Sequence, residues 1–375
     1  MPPAVAAFTD TYLPTVNGVT YTISAWRERY TERGGRMDVV YPASAYEPEP
    51  GEYPVSSLPF PFYEGYRLGV PSIPNATTDV DLVHAHSPFS VGVAGYRLAR
   101  RESVPLVVSY HTPTGEYASY IVPDVLAAPV GAISSRYERW FLERADMVLA
   151  PSEQTAATLR DRLRADVPVR AHPNGVDTTR FRPQKTVTFE RRYGLPEDRP
   201  LIGYTGRHGH EKNLEAILEA AAGLDVTVVF GGAGPATGSL REAAERNDVD
   251  ARFLGFLDRD ELPSFYNALD VFAFPSPVET QGIVALEATA SGTPVVGVDA
   301  GALAETIVAG ETGYHYEPGN IQAFRAKIER ALDEQDTLSA SCLDYREEIS
   351  LSNAIDGLEA AYATVLDENE SATNR

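Results

Sequence analysis

The chain has 375 residues, 43% of them hydrophobic and 10% aromatic, with 53 acidic against 32 basic side chains and a formal net charge of −21. At about 100–200 residues per domain, this length predicts two domains, each with its own core. The acidic balance argues against a nucleic-acid surface, which needs clustered Lys and Arg, and no run reaches the ~18 apolar residues of a membrane span.

The single cysteine, Cys342, provides neither an intramolecular disulfide nor a zinc cluster and is expected to be a semi-buried helix residue. Lys185, Lys212 and Lys327 are the only lysines. A surface so acidic and poor in lysine suits a protein kept hydrated in high salt, where screening removes self-repulsion. The start of the chain lacks the charged and small-residue pattern of a signal peptide, and a cytoplasmic location is expected.

In chain order, short β-branched runs alternate with amphipathic helical stretches, the pattern of parallel sheets covered by helices on both faces. The predicted strands of the first half are Val5–Phe8, Met37–Tyr41, Leu82–His84, Leu106–Tyr110, Met147–Ala150 and Val169–Ala171. A helix from Val19 to Thr31 presents Val19, Ile23, Trp26 and Tyr30 as one apolar stripe, and Gly34 and Gly35 stop it. Residues Ala43 to Asn75, rich in Pro, Tyr and Glu, read as an irregular surface insertion. After a connection from Pro173 to Pro200, the rhythm restarts with strands at Leu201–Thr205, Val226–Phe230, Arg252–Leu254, Val271–Ala273 and Val295–Val298. Leu351, Ile355, Leu358, Tyr362 and Val365 mark a final helix. The expected division is 1–175, 176–345 and a terminal helix and tail at 346–375, the helix packing back toward the first domain.

Open parallel sheets bind ligands beyond the carboxyl ends of their strands, so residues just after strands matter most. The segment Glu279-Thr280-Gln281-Gly282-Ile283 leaves a strand and enters a helix. Its backbone N–H groups are placed to meet a phosphate, with Gly282 allowing close approach. Glu287 follows inside the helix, so one carboxylate can accept sugar hydroxyls and the other ribose hydroxyls. The blander reading is a helix-opening acid with a solvated glutamate behind it. Arg207 ends a strand and Lys212 opens the next helix, so two cations reach a polyanion without a metal. His208 and His210, between them, could touch phosphate but read better as a solvated loop.

The first strand is followed by Asp10 to Val19, with no Gly-x-Gly-x-x-Gly turn for a nicotinamide cofactor. Asn17-Gly18 at the helix start suits a diphosphate or an acceptor. His111 ends the fourth strand, where the alternative is a structural histidine bonded to backbone. His84 and His86 are read as facing opposite ways, and no metal is assigned to them. Neither a metal nor another cofactor is expected. Tyr117 lies in an apolar stretch reaching Ile133, followed by Arg136, Arg139, Trp140 and Arg144. Such a stretch fits either an anionic bilayer surface on the cytoplasmic side or a buried helix with a charged face.

The two glutamates with seven residues between them, followed by Ala290-Ser291-Gly292-Thr293-Pro294, resemble the signature of family 4 retaining glycosyltransferases. The resemblance continues in Gly206-Arg207, Glu211-Lys212-Asn213, Gly231-Gly232-Ala233-Gly234 and Asp270-Val271-Phe272-Ala273. It implies the GT-B fold, two Rossmann-like α/β domains with parallel sheets facing across a cleft, acceptor bound by the first and nucleotide sugar by the second. It further implies that Arg207 and Lys212 clamp the donor diphosphate, with Thr280, Gln281, Gly282 and Ile283 beside it. Glu287 would bind ribose, Glu279 and His111 would meet the sugar at the reaction centre, Gly18 would approach the donor, and Asn17 and Tyr117 would face the acceptor. The expected substrates are a UDP- or GDP-hexose and a lipid or saccharide hydroxyl, the motifs resembling lipid glucosyl-, mannosyl- and sulfoquinovosyltransferases. With no second carboxylate placed as a covalent nucleophile, a front-face mechanism is expected. A nucleotide-sugar epimerase of the same fold and a non-catalytic nucleotide-sugar binding module are the rival readings.

Overall fold

The computed structural model describes residues 2–15, 17–60, 66–111, 124–164 and 166–373, with the side chains of 124–130 and 372–373 outside the description. Two compact units result: Met1–Asn174 with Ala354–Arg375, and Gly175–Asn353.

The first unit carries a seven-stranded parallel sheet. Its strands are β1 (Ala4–Phe8), β2 (Arg36–Pro42), β3 (Glu52–Val55), β6 (Leu82–Ala85), β7 (Leu106–Ser109), β8 (Met147–Ala150) and β9 (Val169–Ala171). They lie in the order β3-β2-β1-β6-β7-β8-β9. The continuous apolar runs follow from burial on both faces, as in β1, where Val5, Ala6, Ala7 and Phe8 are all buried. The chain grows outward from β1 to β3, then returns to the other side of β1 at β6. That reversal opens the space beyond the ends of β1 and β6 to a ligand.

Helix Gly18–Glu32 begins where the Asn17 side chain accepts the Thr20 N–H at 2.8 Å. It buries Ile23, Trp26 and Tyr30, and ends at Gly34, whose φ of +82° a side chain would resist. The described residues of 43–75 do not form an irregular insertion as expected. They supply edge strand β3 and the antiparallel pair β4 (Ser57–Pro59) and β5 (Arg67–Gly69). Pro54 is tolerated in β3 because that strand lies at the sheet edge.

The second unit has β10 (Leu201–Thr205), β11 (Thr227–Gly231), β12 (Ala251–Gly255), β13 (Val271–Phe274), β14 (Val295–Val298) and β15 (Gly313–Tyr316). Their order is β12-β11-β10-β13-β14-β15, all parallel. Strand β15 was not anticipated, its Gly-Tyr-His-Tyr sequence having no apolar run. Here the reversal falls between β10 and β13. Each unit has its own apolar core, and together they give the two Rossmann-like units of the GT-B fold.

The last helix, Leu351–Thr373, buries Leu351, Ile355, Leu358, Tyr362 and Val365. From Ala354 onward its residues belong to the first unit. There Arg33 Nη1 meets Asp356 at 2.5 Å and the Tyr362 hydroxyl reaches His84 Nδ1 at 2.7 Å. Cys342 is fully buried rather than semi-buried, and burial pushes its thiol up to about 12. Among the described residues no helix is long and apolar enough to cross a membrane.

Candidate active site

In the second unit the loops leaving β10 and β13 flank the strand-order reversal. Gly206 to Asn213 therefore comes beside Pro275 to Gly282, although the two are far apart in sequence. Lys212 Nζ donates to Glu279 Oε1 at 2.6 Å, and Arg207 Nη2 donates to Glu211 Oε1 at 2.6 Å. Both cations are within reach of solvent, Arg207 more so than Lys212. Thr280 and Gln281 lead into helix Ile283–Ser291, whose N-cap is Gly282. Neither a capping side chain nor an acidic residue occupies that first turn, which leaves the positive end of the helix dipole for an anion. Gly282 has a φ of +76°, and a Cβ there would meet Leu303 Cδ2 at 2.8 Å. The glycine is thus demanded by backbone conformation and packing, a reason separate from the expected approach of a ligand.

Glu287 is not solvated: only 4% of it is exposed. The Tyr266 hydroxyl donates to its Oε2 at 2.8 Å, and Arg259 lies 3.6 Å from Oε1. Burial pushes the Glu287 carboxyl above its ordinary value, against the pull of Arg259 and the Tyr266 hydroxyl. The sequence reading assigned neither Tyr266 nor Arg259. They belong to the turn and helix preceding β13, and no spacing pattern links them to Glu287.

His208 corrects an expectation. It is fully buried rather than a solvated loop residue. Its Nε2–H donates to the Gly231 carbonyl at 3.1 Å, its Nδ1 accepts from Thr237 Oγ1 at 3.0 Å, and Thr237 Oγ1 accepts the Gly234 N–H at 3.0 Å. Both ring nitrogens of His208 are thus satisfied, so the imidazole is held neutral, its pKa lowered chiefly by burial. The loops after β10 and β11 cross closely enough that a Cβ on Gly232, already at φ +96°, would lie 2.1 Å from the Gly206 carbonyl oxygen. Gly232→Ala is expected to lower the melting temperature by about 5 °C or more, a shift that calorimetry would register.

In the first unit the ends of β1 and β6 are tied by Asp10. Its carboxylate accepts from Ser87 Oγ at 2.5 Å, Ser90 Oγ at 3.1 Å and the N–H groups of Val91 and Gly92 at 2.9 and 3.2 Å. Burial raises its pKa against those donors. Asn17 is engaged in its own loop, accepting from Thr20 N–H and donating from Nδ2 to Thr11 Oγ1 at 2.9 Å. Gly18 is exposed at the helix start. Tyr117 lies outside the described residues. Beside these loops is a recess of about 420 Å³ lined by Asp10, Thr11, Tyr12, Ser44, Phe60 and Arg67 among others.

His84 and His86 do not face opposite ways: residues two apart share a face of a strand, so the expected divergence inverted the rule, and the two rings come to 4.1 Å just past the end of β6 at Ala85. They join His111 and His172 around the Trp26 indole. His86 Nδ1 lies 3.0 Å from His111 Nε2. His84 is bonded at both nitrogens, to Tyr362 and to Ser109 Oγ at 2.8 Å. Burial lowers all four pKa values, those of His111 and His172 to about 4, with the neighbouring imidazoles acting in the same direction on His84, His86 and His111. Among the described residues no group of three or more His, Cys, Asp or Glu is arranged to hold a metal ion.

Comparison with known proteins agrees with this fold. The family described as Glycosyltransferase Family 4 matches residues 16–180, and the family described as Glycosyl transferases group 1 matches residues 186–348. The chain is 32% identical over 330 residues to the GDP-mannose-dependent alpha-mannosyltransferase of Mycobacterium tuberculosis, covering 82% of each chain. It is 28% identical over 315 residues to the alpha-monoglucosyldiacylglycerol synthase of Streptococcus pneumoniae, covering 78% of this chain and 70% of that one. Among solved structures, Anabaena HepE in complex with UDP matches with a TM-score of 0.76 at 17% identity, covering 96% of this chain and 100% of that one. That likeness speaks to the fold. With the family matched along both units and a relative above 30% identity aligned over most of its length, the chain belongs to the family 4 glycosyltransferases and is a nucleotide-sugar-dependent hexosyltransferase.

Proposed function

We propose that the chain transfers a hexose from a UDP- or GDP-sugar to a hydroxyl of a membrane lipid or glycan precursor, keeping the anomeric configuration. The observation that carries the reading is the Lys212–Glu279 pair, which joins the loops after β10 and β13 at the strand-order reversal. A diphosphate seated there takes the Lys212 ammonium and Arg207 guanidinium, together with the amide end of helix Ile283–Ser291. Ile283 opens that helix, and Thr280, Gln281 and Gly282 form the approach to it. Glu287 accepts from ribose hydroxyls and Glu279 from sugar hydroxyls, while His111 meets the transferred sugar. In the reaction the acceptor oxygen bonds to the anomeric carbon on the face the diphosphate leaves. The anomeric carbon–oxygen bond breaks with its electron pair on the diphosphate, and the acceptor proton passes to a departing phosphate oxygen. Stabilising that developing charge and positioning the acceptor are the protein's contributions.

The recess beside β1 is the proposed acceptor seat, with Asn17 and Gly18 on an adjoining loop. A lipid acceptor is supported by the solvent-facing side of helix Asp124–Leu142, where Ile133 is 70% exposed and Tyr137 stacks on Trp140. Arg144 lies 4.1 Å over the Trp140 ring. Exposed aromatics and an aliphatic side chain beside arginines suit the interface of an anionic leaflet. The enzyme then works peripherally on the cytoplasmic face, in a salt-rich cell that fits its charge of −21.

The test is incubation with UDP- and GDP-hexoses, with and without a polar lipid extract, followed by mass spectrometry of the products. Nucleotide release that requires lipid, with a hexose added to it, is the expected result. Isomerised donor without acceptor would support an epimerase, and binding without turnover a non-catalytic module; either contradicts the proposal.

A further inference from the structure

Behind His111 stands a second histidine with no assigned role. His111 is partly exposed, whereas His86 is 3% exposed and enclosed by the rings of Trp26, His84 and His111. The two imidazoles share one short contact, His86 Nδ1 to His111 Nε2 at 3.0 Å. A hydrogen bond there needs one proton between two nitrogens, so one ring donates and the other accepts. The other nitrogen of His86, Nε2, is buried and has no hydrogen-bond partner among the described residues. Were the His86 proton on Nε2, it would be a buried N–H without an acceptor, the orphan that folded proteins most avoid. A proton on Nδ1 is used at once, in the bond to His111.

We infer that His86 is a positioning residue: its Nδ1–H donates to His111 Nε2, which fixes His111 as the Nδ1–H tautomer and holds its ring orientation. His111 therefore presents a donor, not an acceptor, at Nδ1. Both rings are neutral at pH 7, since burial and the neighbouring imidazoles hold their pKa values well down. The consequence for transfer rests on the reading that His111 meets the sugar, because a neutral N–H donor in fixed orientation suits a sugar oxygen gaining charge. The support continues outward: the His84 ring packs tilted against His86, and its bonds to Ser109 and Tyr362 anchor the cluster to β7 and the last helix.

The tautomer is read directly by nitrogen NMR of protein labelled at its seven histidines, assigned with single His→Gln variants. His111 should show a protonated Nδ1 and an unprotonated Nε2; a protonated Nε2 on His111 overturns the inference. For function, His86→Phe keeps a ring in the stack but removes the donor, whereas His86→Asn places an amide N–H near the position of Nδ1. His86→Phe should lower kcat roughly 10- to 100-fold with little change in donor KM, and His86→Asn should recover most of it. Equal kcat in wild type, His86→Phe and His86→Asn, all folded by circular dichroism, would refute the positioning role. His111→Ala separates the two ideas: if it leaves kcat unchanged, the reading of His111 at the sugar has failed, whereas a loss in His111→Ala with none in His86→Phe defeats the positioning role alone.

Discussion

Lys212→Ala is expected to lower kcat/KM for transfer by roughly 100- to 1,000-fold while leaving the fold intact. Negative charge develops on the departing diphosphate, and a cation fixed at that point acts more strongly than mobile water because it needs no reorganisation. The substitution removes the cation and leaves Glu279 without its 2.6 Å partner, so a repulsive carboxylate now faces the polyanion. The pair is partly exposed, its side chains 20% and 16% accessible, so its loss costs stability no more than about 1 kcal/mol. Lys212→Arg should restore only part of the rate, since the planar guanidinium places its charge differently from an ammonium. Initial rates of nucleotide release against donor concentration, with a thermal melt on the same sample, decide it. An unchanged kcat/KM would remove Lys212 from the proposed site.

Acid should destabilise the protein earlier than its carboxylates alone would dictate. His111 and His172 are pushed down to about 4, and His84 and His86 also fall well below the ordinary histidine value. Between pH 6.5 and 4 the unfolded chain takes up protons on these histidines and the folded one does not, so stability is full above pH 6.5 and falls as pH falls. By pH 5.5 His111 and His172 each withdraw roughly 1 kcal/mol. Asp10, Asp38, Asp270 and Glu287 act in the opposite sense, because burial raises their pKa values and their protonation in acid relieves that cost. His172→Phe isolates the histidine effect, retaining a ring against Trp26, 5.1 Å away in the native cluster. Thermal unfolding from pH 7.5 to 5 should show a shallower acid slope in the variant. Parallel slopes would mean that His172 is not held neutral.

Much of this was readable in the chain because both-face burial writes continuous apolar runs, as in Leu201–Thr205 and Val295–Val298. Edge strands carry no such run. β3 contains Glu52 and Pro54, and β15 is Gly-Tyr-His-Tyr, so both were passed over. The order of strands is also unwritten in local pattern. Lys212 and Glu279 were each visible at a strand-to-helix junction, but their meeting depends on β10 lying next to β13. The histidines misled for other reasons. Residues two apart share a face of a strand, so the spacing of His84 and His86 itself writes their meeting, and the expectation of opposite faces inverted that rule. His208 looked solvated because the Gly231–Gly234 loop that covers it lies more than twenty residues away.

In the proposed reaction the second unit seats the donor diphosphate at the ends of β10 and β13. A crystal structure of the full chain with UDP, and another with GDP, tests it directly. Phosphate oxygens are expected within hydrogen-bond distance of Lys212 and Arg207, at the amide end of helix Ile283–Ser291. A nucleotide bound in both crystals at a different place, with those two side chains still held by Glu279 and Glu211, would contradict it.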